Sequence, residues 1–357
     1  MKKILTLLII AIFFISAVLG INIILDYMDT GISPVQGHSI GSHEPEYEWL
    51  SVGGCSHWND FFISSNILYI FAPSKYDDWS ENSENTSGRI YLYNLSDLSS
   101  PILTLKHNFG HCNTVHYCEQ TDKLLIGNLP GSDAYPAALY IVNDVSAWTT
   151  LSNESFLDFK QISHTIVDLQ KLNNIFTHVG DIAACWGANN LENYDCVWVS
   201  SHYNRDWFKL LLGTGKNDLS VKKDGGGTFS SVSDDEFNGT FLTLEHYTFE
   251  AEHHNKYSEV IQGIDYENGK IYTSNGHDQM LGVIWDFKDN TVQRKIIKNS
   301  VHHPNGSTYS SISEGFCIYE GYAYHGYVEA QSDNKWNNSP QRKDNKIHGI
   351  MKCKIPY

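Results

Sequence analysis

The sequence predicts an all-β chain folded as a five-bladed β-propeller, with six or seven blades as the alternative count, and three observations carry that prediction. A strand–turn–strand unit recurs five times along the chain. The composition suits strands, with 13% aromatic residues, 21 Tyr and 9 Trp against only 9 Pro. Positions 59, 113, 180, 262 and 314, which occupy the same place in successive units, are spaced by 54, 67, 82 and 52 residues, matching the ~40 to 50 of a four-stranded blade once loops are added.

Taken in order, the chain begins with Lys2 and Lys3 ahead of an apolar run from Ile4 to Leu25, broken only by Thr6, Ser16, Gly20 and Asn22. A basic start before a long apolar segment marks export, and residues 1–25 read either as a signal peptide, with cleavage spacing at Val18-Leu19-Gly20, or as a helical signal anchor of roughly the ~20 residues that span a bilayer. Both readings put the rest outside the cytoplasm, secreted or held at the cell surface. Residues 26–45 read as a linker and residues 46–357 as one propeller domain.

The first unit is His57-Trp58-Asn59-Asp60 followed by FFISSNILYIFA, and the second is His111-Cys112-Asn113-Thr114 followed by VHYCEQTDKLLIGN. The third is His178-Val179-Gly180-Asp181 followed by IAACWGANNLENYDCVWVSS. Gln262-Gly263 opens the fourth and Glu314-Gly315 the fifth. Each reads as a hairpin of apolar and aromatic strands around an Asn-, Asp- or Gly-rich turn, clearest at Asn268-Gly269, where both residues tolerate positive φ. Third strands are expected at Gly88–Tyr93, Ala138–Val142, Phe241–Leu244 and Gly282–Asp286. The stretch from Gly213 to Asn238 reads as an exposed insertion, and a segment near Glu46–Val52 is expected to complete the last blade and close the ring, which removes a free sheet edge.

A formal charge of -16, from 41 acidic and 25 basic residues, disfavours nucleic acid and leaves neutral sugars, cations or a basic partner. The 7 cysteines are scattered without a CxxC pair, so neither a zinc knuckle nor a disulfide framework is indicated; most read as small buried residues. Asn-x-Ser/Thr sequons at Asn85, Asn94, Asn153, Asn238, Asn305 and Asn337 agree with export, although a chain this rich in Asn, Ser and Thr produces several by chance.

In a propeller the inner strand of each blade starts near the mouth of the central channel, so the aligned starts converge on one funnel. The candidate ligand-binding residues are therefore His57, Asn59, His111, Asn113, His178, Asp181, Gln262 and Glu314. His57, His111 and His178 share one register and form a candidate site for a divalent metal ion or for hydrogen bonding to a polyhydroxylated ligand. Asp60, Asp181 and Glu314 are the candidate acids if the funnel cleaves glycosides. The same positions serve equally well as anchors that fix neighbouring blades through backbone hydrogen bonds. The pairs His253-His254 and His302-His303 alternate faces on a strand and suit loops better than a shared metal, whereas His277 and His325 are candidates for the other rim. Trp58, Trp79, Trp186, Trp207 and Trp336 are the aromatics placed to stack on sugars, with packing between blades as the competing role. No P-loop, GxSxG, HExxH or dinucleotide fingerprint occurs.

The segment Phe109 to Asn128, FGHCNTVHYCEQTDKLLIGN, resembles the GHxND–strand–turn–LYV signature of β-propeller domains in phage and prophage tail or receptor-binding proteins and in teichoic-acid-associated proteins of Gram-positive bacteria. His57-Trp58-Asn59-Asp60 and His178-Val179-Gly180-Asp181 echo it, and Gln262-Gly263-Ile264 resembles the QG start of later blades in those domains. Glu314 stands where that pattern has Gln, and no tail-attachment domain is evident. The resemblance implies a five-bladed propeller that binds a cell-envelope glycopolymer. A propeller-fold enzyme, either a glycosidase or a metal-dependent lyase or cyclotransferase, is the alternative, and a purely structural surface module is the third.

Overall fold

The computed structural model describes residues 37–39, 46–55, 58–73, 87–127, 138–159, 161–169, 172, 182–188, 196–201, 206–214, 239–248, 261–276, 280–289, 291–298, 301–302, 308–331 and 347–355. Two short strands come first, β1 (Gly37–Ser39) and β2 (Glu48–Ser51). Blade 1 follows with β3 (Asp60–Ser64), β4 (Ile67–Ala72), β5 (Gly88–Asn94) and β6 (Leu103–His107). Blade 2 contains β7 (Thr114–Cys118), β8 (Lys123–Gly127) and β9 (Ala138–Asn143). The chain then makes β10 (Phe156–Leu157), a parallel fifth strand on the edge of blade 1, before returning as β11 (His164–Asp168), the fourth strand of blade 2. Blade 3 is β12 (Ile182–Gly187), β13 (Cys196–Ser201), β14 (Asp206–Thr214) and β15 (Gly239–Thr248). Blade 4 is β16 (Ile261–Glu267), β17 (Lys270–Asn275), β18 (Met280–Asp286) and β19 (Thr291–Lys298), extended by parallel pairing of β1 with β19. Blade 5 is β20 (Val301–His302), β21 (Thr308–Tyr319), β22 (Tyr322–Gln331) and β23 (Ile347–Lys354).

The ring closes as expected, because β2 pairs antiparallel with β23 and supplies the outer strand of blade 5 from the start of the chain. The inner strands β3, β7, β12, β16 and β21 each pack on the next, and β21 packs back on β3. Apolar side chains fill the seams between blades. Phe62, Phe71, Leu124 and Tyr140 lie between blades 1 and 2; Leu125, Val167, Val199 and Phe208 between 2 and 3; Trp198, Trp207, Ile271 and Trp285 between 3 and 4. Tyr272, Phe316 and Cys353 join blades 4 and 5, while Trp58, Phe61, Tyr324 and Ile350 join 5 and 1. The facing sheets both present β-branched and aromatic residues to each seam.

Local turn chemistry is as the sequence indicates. Asn268 and Gly269 have φ of 52° and 80°, and the equivalent pairs Ser65-Asn66 and Glu320-Gly321 also lie at positive φ. Two consecutive positive φ angles match the twist of the flanking strands and give tight hairpins.

One strand assignment is corrected. Phe241–Leu244 belongs to β15, the fourth strand of blade 3, and the third strand is β14. β14 carries the apolar runs Trp207-Phe208 and Leu210–Leu212 and β15 carries Phe241-Leu242 and Leu244, so both suit strands and only the pairing fixes their order. Gly213 and Thr214 are still part of β14, and the remainder of the expected insertion, 215–238, lies outside the described residues. Residues 1–36, with the expected hydrophobic helix, also lie outside them. No helix among the described residues is long and apolar enough to cross a membrane. All 7 cysteines are free, and Cys55 alone is not fully buried.

Candidate functional site

The starts of the inner strands are joined from blade to neighbouring blade, in the four blades where they are described. The Asn59 side-chain amide donates to the His111 carbonyl at 2.6 Å, joining the starts of blades 1 and 2. Trp58 Nε1–H donates to the Glu314 carbonyl at 2.9 Å, joining blades 1 and 5. Gly263 backs so closely on blade 5 that a Cβ there would sit 2.2 Å from the Phe316 nitrogen. Gly315, at φ 98°, leaves room for Asp60, whose Oδ1 would lie 2.7 Å from an added Cβ. Both glycines of the fourth and fifth units are thus demanded by the approach of neighbouring backbones.

At these inner-strand starts Asn59, Asn113 and Gln262 are buried, and His111 and Glu314 are half-buried. Asn113 Nδ2 has no hydrogen-bond partner among the described residues. Burial pushes the His111 imidazole down to about 4, which keeps it neutral at physiological pH. His57, His178 and Asp181 lie outside the described residues, so the three-histidine set is represented by His111 alone. Among the described residues no group of three or more His, Cys, Asp or Glu side chains is arranged to hold a metal ion.

Asp60, expected as one acid of a possible catalytic set, is fully buried and faces protein backbone. Its Oδ1 accepts the N–H groups of Phe61 and Phe316 at 2.8 and 3.0 Å, and its Oδ2 accepts that of Val115 at 2.6 Å. One carboxylate therefore ties blade 1 to blades 2 and 5. Burial raises its pKa well above the ordinary carboxylate value, against the opposing pull of the three amides. Thr114, in the same register, does a similar task with a hydroxyl: Oγ1 donates to the Ile182 carbonyl at 3.0 Å and accepts the Ala184 N–H at 3.2 Å, tying blade 2 to blade 3.

A second layer lies three residues beyond Asn59, Asn113 and Gln262, and the sequence reasoning passed over it. His116 and Asp265 occupy equivalent positions there, with Phe62, Ala183 and Cys317 in the other blades. Their side chains meet at 2.7 Å, His116 Nε2 to Asp265 Oδ1. Carrying the unit alignment three residues further would have flagged the pair.

Other candidates resolve into packing. His325 is not at a rim: it lies inside β22, fully buried, with Nδ1 3.0 Å from Ser274 Oγ, which in turn meets Ser313 Oγ at 2.5 Å. Trp58, Trp186 and Trp207 are buried in seams and unavailable for sugar stacking. Trp79, Trp336, His253, His254 and His277 lie outside the described residues, as does His303.

No family model matches the chain, and no curated protein sequence matches it. Among solved structures, the β-propeller domain of Myceliophteria thermophila Cps50 (Swd1) is similar over 81% of this chain and 71% of that one, at 8% identity and a TM-score of 0.31. Kluyvelomyces marxianus Hsv2 is similar over 81% and 70%, at 9% identity and a TM-score of 0.30. The five-bladed assignment rests on the strand pairing described above.

Proposed function

We propose that the chain is an exported propeller, secreted or anchored at the cell surface, that binds a neutral carbohydrate or cell-envelope glycopolymer at the mouth formed by the inner-strand starts. The carrying observation is the set of side-chain amides at the inner-strand starts: Asn59, Asn113 and Gln262, with Asn113 Nδ2 buried and without an acceptor among the described residues. Amides offer both a donor and an acceptor to sugar hydroxyls, and an unsatisfied buried donor gains most from a ligand that supplies one. The formal charge of -16 favours a neutral polymer over a polyanionic one. Export is supported by Lys2, Lys3 and the apolar run that follows. The motif resemblance supports an envelope partner. Binding is favoured over glycoside cleavage because Asp60 already accepts three backbone amides and has little capacity left for a substrate proton.

The test is binding of the purified protein to a glycan array and to isolated cell-wall material. Asn113→Ala and Gln262→Ala should each weaken binding about tenfold, the loss expected for one good hydrogen bond to a ligand, with an unchanged unfolding midpoint. Binding that survives intact when His57, His111 and His178 are all replaced by Ala together with Asn113→Ala would remove the mouth as the site.

A further inference from the structure

His116 lies on the inner strand of blade 2 and Asp265 on the inner strand of blade 4, and blade 3 stands between those two blades in the ring. A direct bond between them therefore crosses the central channel instead of following its wall. Both residues are buried. The remaining atoms of the pair reach two more blades. His116 Nδ1 accepts the Trp186 N–H of blade 3 at 3.0 Å. Asp265 Oδ2 accepts the Ile318 N–H of blade 5 at 2.6 Å, and Oδ1 also accepts the Tyr266 N–H of its own strand at 2.6 Å. Since Nδ1 accepts, Nε2 carries the proton and donates it to the carboxylate. Two side chains thus hold four of the five inner strands.

We propose that His116 and Asp265 form a strut that closes the central channel, so that the two faces of the propeller do not communicate. A polymer at the mouth then engages by an end or a flank and is never threaded; this docking mode rests on the function proposed above, whereas the closure holds for any ligand or none. Cys185 and Cys317 each precede a residue whose N–H the strut accepts, Trp186 and Ile318, and their buried thiols pack in the seams between blades 3 and 4 and between blades 5 and 1. They report whether loss of the strut opens the wall of the channel.

The experiment is native-state labelling of the whole protein with a small maleimide, read out cysteine by cysteine by mass spectrometry. In the unmodified protein Cys185 and Cys317 should react far more slowly than the partly exposed Cys55. His116→Ala and Asp265→Ala should each raise their rates at least tenfold while Cys353, buried on β23 two strands outward from β21, stays protected. Labelling of Cys185 and Cys317 at the Cys55 rate in the unmodified protein, or no acceleration in either folded variant, overturns the closure. Should the Ala variants expose every cysteine at once, the bulk-preserving His116→Gln and Asp265→Asn are combined in a double-mutant cycle on unfolding. A double variant no worse than either single one supports the strut, and strictly additive effects overturn it.

Discussion

Asp60 shows how a residue found by register can have a role that register does not specify. The repeat placed it at the start of an inner strand, where an acid suits either catalysis or anchoring. What decides is that its partners are the backbone nitrogens of Val115 and Phe316, 55 and 256 residues away in sequence, along with that of Phe61. Asp60→Ala leaves three buried N–H groups without an acceptor and should cost roughly 3 to 5 kcal/mol in urea unfolding. Asp60→Asn keeps one carbonyl oxygen but turns an N–H donor toward another donor, so it should recover only part of that loss. A cost below about 1 kcal/mol for Asp60→Ala would show that the amides find other acceptors. The buried glycines follow the same logic, since Gly263 and Gly315 sit where a side chain would strike the neighbouring blade.

At the scale of elements, the inner hairpins were legible because their signals are local: alternating apolar residues and turn pairs such as Asn268-Gly269. Outer strands were less so. β14 and β15 are both apolar enough to be strands, so only their pairing orders them, and β10 has two residues, too few for any periodicity. The closing strand β2 was expected, but its energetic anchor becomes visible only in the fold. Trp49 lies across Gly349, where an added Cβ would come within 2.2 Å of the indole, and meets the Tyr327 ring edge-on at 5.4 Å. With 38% of Trp49 still exposed, Trp49→Ala should destabilise by about 1 to 2 kcal/mol. Hydrogen exchange should quicken along Ile347–Lys354, the strand that β2 covers, before it quickens in blades 2 and 3. Uniform quickening around the whole ring would show that β2 is not a separable closure.

At the scale of the molecule, three described histidines held neutral weigh on the response to acid. Burial pushes His107 down to about 4 and His325 to about 3, and His111 also to about 4. His107 is further committed to its neutral form, with Nε2–H donating to the Ala72 carbonyl at 2.9 Å and Nδ1 accepting the Phe109 N–H at 3.1 Å. In the unfolded chain a histidine takes up its proton near pH 6.5, so between about 6.5 and 4 the unfolded state binds more protons than the native one. Stability present above pH 6.5 is therefore lost on acidification, by up to about 3 kcal/mol from His107 alone once pH 4 is reached. Asp60 and Glu267 work in the opposite sense, because a raised pKa lets the native state take up a proton early, but among the described residues these two carboxyls stand against three imidazoles. Urea midpoints measured from pH 7 to pH 4.5 should fall steadily, and a flat profile would contradict neutral burial of these rings. By itself the sequence determined the all-β class, the five blades and the starts of their inner strands, since each is written in local patterns that repeat. Only the tertiary structure decided that Asp60 ties blades together and that His116 reaches Asp265, 149 residues distant, across the channel. Such pairings depend on how the ring brings non-adjacent blades face to face, and no periodicity along the chain encodes that distance.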